Sequence, residues 1–136
     1  MTAPARLAWV AFCLAACAST PSPTFSEPYA LIEGGTPSQV RKEFPAFIST
    51  IDGQSNFDPR RPAPLTPGKH RVDIYFSSTS VAGAAEKHVR AVELDAAPCT
   101  RYRVVARYTN LVSVDWEPVI YSEPIGECVS KFQASK

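Results

Sequence analysis

From Tyr29 onward, apolar and polar residues alternate with a period of two in short runs separated by turn residues, as in strands with one buried face. Tyr29 to Ile32 reads as a first strand, ended by Gly34-Gly35. Phe44 to Ile51 reads as a second, closed by Asp52-Gly53, a pair suited to a tight hairpin turn. Pro67-Gly68 predicts a type II turn, with proline fixing φ and glycine taking the positive φ that follows. It opens a third strand, Lys69 to Phe76, in which Val72, Ile74 and Phe76 alternate with Arg71, Asp73 and Tyr75. His88 to Leu94 is the fourth. In Arg101 to Tyr108 the alternation is clearest, with Tyr102, Val104 and Ala106 on one side and Arg101, Arg103, Val105 and Arg107 on the other. Val114, Trp116 and Ile120 mark a last strand, where Pro118 requires an edge or a bulge. Only Pro37 to Glu43 or Ala82 to Lys87 leaves room for a helical turn. The fold predicted is all-β, an antiparallel sandwich of about six to seven short strands.

The chain before Tyr29 follows a different pattern. A single positive residue, Arg6, precedes the apolar run Leu7 to Leu14, and small residues follow from Ala15 to Ser19. That order describes a secretory signal, and the run falls short of the roughly 20 residues needed to span a bilayer. Leu14-Ala15-Ala16-Cys17 resembles the lipobox of bacterial lipoproteins. The resemblance implies cleavage after residue 16 and acyl chains on Cys17, which together anchor firmly where one chain binds only marginally. Cys13, preceded by the bulky Phe12, is the poorer match. Ala18 stands where an inner-membrane retention signal usually has Asp, so the resemblance implies an outer membrane and a domain facing the periplasm. Residues 17–28 hold Pro21, Pro23 and Pro28 among small polar residues, a semi-stiff spacer. Its last ten residues could lift residues 29–136 on the order of 30 Å from the lipid at ~3.1 Å each. Three segments are expected: a signal peptide 1–16, a tether 17–28 and a sandwich domain 29–136.

Charge removes one class of partner. Lys and Arg number 14 and Asp and Glu 13; Arg6 is the only charge before Cys17, so the chain from Cys17 onward is neutral. Such a domain has no cation surplus to draw nucleic acid. Of the cysteines, Cys13 leaves with the signal and Cys17 is lipidated, so Cys99 and Cys128 are expected to form a disulfide in an exported domain. Two thiols without a histidine at ligand spacing do not make a metal site, and no cofactor motif is present.

Ile51-Asp52-Gly53 followed by Leu65-Thr66-Pro67-Gly68-Lys69-His70-Arg71-Val72 is similar to the PEGA-type domain and related small envelope-lipoprotein domains. Cys99 to Ala106 and Trp116 to Ile120 resemble the second half of such domains, so the likeness spans about residues 44–128. It implies an immunoglobulin-like or transthyretin-like sandwich and transfers no catalytic residue. The Pro-rich insertion Phe57 to Pro64 departs from it.

No catalytic constellation emerges. His70 reads as a packing or hydrogen-bonding residue beside a turn, and Ser77 to Ser80 lacks the glycine-flanked nucleophile elbow. Arg101, Arg103 and Arg107 form a basic row, expected to pair across strands with neighbours such as Glu93 and Asp95, or else to meet an acidic partner or a glycan phosphate. The loop Asp52 to Pro67 is longer than a hairpin needs and carries Phe57, Arg60 and Arg61, the residue mix of a partner-binding loop or of a crossover with Phe57 folded onto the core. The function expected is that of a non-catalytic, lipid-anchored interaction or structural accessory module in the envelope, touching the membrane through Cys17 and an envelope protein or glycan through its loops. The alternatives are a small glycan-binding domain, an apolar-ligand carrier lined by Phe47, Phe76 and Trp116, or a hydrolase using His70 or His88.

Overall fold

A computed structural model describes residues 24–55, 57–58, 60–79, 85–110 and 115–133. The expected signal peptide, Cys13, the expected lipidation position Cys17, Val114 and Ala82 to Ala84 lie outside the described residues. The strands are β1 (Ala30–Gly34), β2 (Glu43–Pro45), β3 (Phe47–Ile51), β4 (Ala63–Leu65), β5 (Gly68–Thr79), β6 (Ala85–Ala96), β7 (Thr100–Asn110) and β8 (Asp115–Pro124), followed by one helix, α1 (Gly126–Phe132). They form a five-stranded sheet around β7 and a three-stranded sheet ordered β3-β5-β6. The architecture is an all-β sandwich.

β7 organises the larger sheet because its alternation leaves one complete apolar face. Tyr102, Val104 and Ala106 are buried against Val72, Ile74 and Phe76 of β5. Along one edge β7 pairs with β8; along the other it pairs in parallel with β1 through Arg101 to Val104, and then antiparallel with β2 through Val105 to Arg107. Two short strands therefore lie end to end on one long one. Gly35 closes the gap between them. Its N–H donates to the Val104 carbonyl at 2.7 Å, and a Cβ there would stand 2.7 Å from a Val105 methyl. That backbone covers Val105, which is fully buried although it shares its face with the arginines.

Three expectations need correction. The run Phe44 to Ile51 is two strands, because the chain crosses between the sheets at Ala46, a buried residue small enough for the corner. The loop Asp52 to Pro67 contains β4, which pairs with β1; Pro64 is tolerated because β4 ends its sheet. Over Pro37 to Glu43 a single turn does form: the N–H groups of Arg41 and Lys42 donate to the Ser38 and Gln39 carbonyls three residues back, and Glu43 N–H closes onto Ser38 with Lys42 at φ 55°. The helix itself, α1, stands at Gly126–Phe132, where none was expected. Residues 85–87, the end of the other candidate stretch, belong to β6.

The Asp52-Gly53 signal acts as the local chemistry requires, whereas Pro67-Gly68 makes a bend and not the expected type II turn, with Gly68 at φ 131° already in β5. Asp52 and Gly53 have φ of 51° and 76°, and Ile51 and Gln54 exchange backbone hydrogen bonds at 2.9 Å, as in a type I′ hairpin turn. Pro118 lies on β8, an edge strand, and pairs with Ala106 without interrupting the ladder. The disulfide joins Cys99 to Cys128. Around it Tyr29 and Ile125 form a second small core, with Phe25, Leu31, Val129 and Phe132 packed against it. Phe25 stacks on Tyr29 with ring centroids 3.7 Å apart, and Lys131 Nζ donates to the Phe25 carbonyl at 2.6 Å. The last residues of the expected tether are thus seated on the domain.

Candidate functional site

The two clusters of polar side chains able to do chemistry sit at different places on the sandwich. One is built on the Asp52-Gly53 turn. Positive φ at Asp52 turns its carboxylate back onto β5, where Oδ1 accepts the Arg71 N–H at 2.8 Å and Oδ2 lies 2.6 Å from His70 Nδ1. His70 Nε2 lies 2.7 Å from the Thr66 carbonyl. A carbonyl oxygen only accepts, and so does the ionised Asp52, so this geometry favours the protonated ring, in which both nitrogens donate. Burial opposes that charge; the Asp52 hydrogen bond, the Thr66 carbonyl and the Asp52 charge together outweigh it, raising the pKa of His70. The same hydrogen bond, with one from the Arg71 backbone, lowers that of Asp52.

Asp52, His70 and the Thr66 hydroxyl, 3.5 Å from Nε2, have the outline of a nucleophile triad. In the protonated form that the geometry favours, both ring protons are donated to oxygens and no lone pair is left to take a proton from Thr66. This cluster clamps the β3–β5 turn to the approach to β5. A raised histidine pKa contributes stability in full below the unfolded-chain value of ~6.5, and that contribution is lost as pH rises through the folded value. Titration of His70 by NMR is expected to give a midpoint above the ordinary value that falls in Asp52→Asn. The thermal advantage of wild type over that variant should narrow as pH rises from the unfolded-chain value through the raised folded-state midpoint. A His70 midpoint at or below the ordinary value would remove the clamp.

The second cluster covers the outer face of the larger sheet. Glu43, at the start of β2, has a completely buried side chain. Its two oxygens accept from Arg41 Nε at 2.9 and 3.0 Å, and Oε1 also accepts from Arg107 Nη2 at 3.0 Å and from the Tyr121 hydroxyl. The Arg41 hydrogen bonds are the largest influence and burial opposes them. With Tyr121 and Arg107 added, the carboxyl is held at about 2. Arg41 also lies 5.5 Å over the Tyr121 ring. The group ties β2, β7 and β8 together. Further along β7, Arg103 meets Glu33 at 3.3 Å and Glu123 at 2.9 Å, and Arg101 approaches the same two at 3.8 and 3.9 Å.

The basic row is therefore paired across strands, but not with Glu93 and Asp95. Those lie on β6 in the other sheet, opposite Arg71 and Lys69, because β7 has only β1, β2 and β8 as neighbours. A cavity of about 220 Å³ opens beside Arg41, Arg103, Tyr121 and Glu123.

Other candidate residues are dispersed. Phe57 is half-buried against the main core, while Arg60 and Arg61 are exposed. Asp58 organises the loop, accepting the Arg60 N–H at 3.0 Å and lying 3.6 Å from Arg61 Nε. Phe76 and Trp116 pack against each other inside the sandwich with centroids 6.1 Å apart, whereas Phe47 stacks on Tyr75 on the outer face. These three aromatics do not line one cavity. Among the described residues no group of three or more His, Cys, Asp or Glu could hold a metal, and no helix is long and apolar enough to cross a membrane. Sequence reasoning missed Glu43, Arg41 and Tyr121; the available signal was a lone glutamate flanked by Arg41 and Lys42 at the mouth of a strand. No family model, no curated protein and no solved structure matches the chain.

Proposed function

We propose that the chain is an outer-membrane-type lipoprotein, anchored through Cys17, whose sandwich is a non-catalytic interaction or structural accessory module facing the periplasm. The observation that carries the reading is the commitment of its reactive groups to one another. His70 has both ring nitrogens hydrogen-bonded within the turn, and Glu43 is saturated by two arginines and a tyrosine. Side chains arranged this way hold strands in register and have no free base or acid to offer a substrate. The address comes from Leu14-Ala15-Ala16-Cys17 and the Pro-rich spacer behind it.

The test begins with the anchor. Labelled palmitate is expected to enter the wild-type chain and not Cys17→Ser, and that variant should accumulate as precursor. Labelling that persists in Cys17→Ser overturns the anchor at that residue and shifts it to Cys13.

A further inference from the structure

We propose that β6 is a self-association edge, pairing antiparallel with β6 of a second copy of this chain. Edge strands are ordinarily blunted against such pairing. The other strands that end a sheet here conform: β4 and β2 have three residues each and carry Pro64 and Pro45, β8 carries Pro118 and Pro124, and β3 has five residues and a register shift. β6 has none of these features, and its charges, which can also deter pairing at an edge, here set its register. It runs for twelve residues without proline, pairs with β5 through twelve consecutive positions without a shift, and has no strand on its other side among the described residues. Its outer face is small or apolar at the middle, where Val89 is 51% exposed and Ala91 is exposed.

The order of charges on β6 selects the occupant and the register. After Glu86 at the strand's start, basic positions Lys87 and Arg90 precede acidic ones, Glu93 and Asp95. Such a strand complements its own reverse. A twofold axis at Arg90 would set two arginines side by side, which is unfavourable. An axis at Val92 would leave Asp95 facing Val89 and bring no basic position opposite an acidic one. With the axis at Ala91, the smallest residue of the central stretch sits on it, Lys87 of each copy stands opposite Asp95 of the other, Arg90 faces Val92 and Glu93 faces Val89. The three-stranded sheet becomes a continuous sheet of six. Antiparallel pairing also sends the two Tyr29 ends in opposite directions, so copies anchored in one leaflet would lie with their strands along the membrane.

The test uses the full chain in detergent. Directly opposed residues in an antiparallel pair have Cβ atoms roughly 4.5–5.5 Å apart, close enough for a bridge after slight adjustment. Ala91→Cys should therefore give an oxidised dimer on non-reducing gels, while Lys69→Cys, on the same face but remote from the axis, stays monomeric. Asp95→Lys should weaken the dimer about tenfold, and Lys87→Asp in the same chain should restore it. Ala91→Cys introduces no charge, so it decides the matter even where Asp95→Lys fails to fold. A monomeric mass by light scattering without a crosslink at position 91 overturns the proposal. So does equal crosslinking at 69 and 91, or a crosslink from 91 to a different envelope protein.

Discussion

Trp116→Ala is expected to remove about 3–5 kcal/mol of stability, the range for truncating a buried aromatic, and to leave little of the folded domain at 37 °C. Trp116 is 3% exposed and packs on Phe76. Phe76 meets Tyr108 edge-on at 5.3 Å, and Phe44 meets Tyr108 at 4.8 Å. Rings from β2, β5, β7 and β8 thus interlock across both sheets. Removing the indole opens a void between two sheets whose backbones are fixed by long ladders, so collapse into it is resisted and the cavity cost adds to the lost transfer energy. Chemical denaturation should show a lower midpoint with an unchanged slope. Phe47→Ala provides the contrast. That ring is 39% exposed and touches Tyr75 on the outer face, so its removal should cost under about 1 kcal/mol. A loss below that level for Trp116→Ala would mean the cluster does not join the sheets.

What the sequence made legible was local. The alternation Arg101 to Tyr108 is read correctly because one face of β7 meets the core along its length, and Asp52-Gly53 is read correctly because positive φ is a property of two residues. What it concealed depends on distance. Nothing in the run Phe44 to Ile51 tells which sheet each residue joins, and the change at Ala46 is decided by β5 and β7. Glu43 finds Arg107 and Tyr121 at separations of 64 and 78 residues, which no spacing rule anticipates. The parallel pairing of β1 with β7 is of the same kind. Helix α1 is an intermediate case. Ile125, Cys128, Val129 and Phe132 stand at helical spacing, yet seven residues are too few to be helical unaided, and the stripe becomes a helix only because a disulfide and a small core hold it.

That dependence makes the disulfide the other large lever. Cys99→Ala or Cys128→Ala is expected to cost about 2–5 kcal/mol, in line with native bridges in small exported domains. Closing a segment of 29 residues removes freedom from the unfolded chain worth roughly 3–4 kcal/mol in the chain-entropy account. The local consequences should be uneven. Cys99 has φ of +55°, its N–H donates to the Tyr29 carbonyl at 2.7 Å, and its carbonyl accepts from Ile125 at 2.8 Å. Alanine keeps the Cβ and these backbone bonds, so it isolates the bridge; glycine would also relieve the positive φ and blur the comparison. Helix α1 has no side-chain cap, and without Cys128 bound to Cys99 its remaining hold is the contact of Ile125, Val129 and Phe132 with Tyr29 and Phe25. Hydrogen exchange should therefore accelerate first in α1 and around Phe25 and Tyr29, while β5 and β6, which share twelve paired positions, stay protected until global unfolding. Both single variants should look alike, and the double variant should add little, because each removes the same bond. Unchanged exchange in α1 after either substitution would show that packing alone holds the helix.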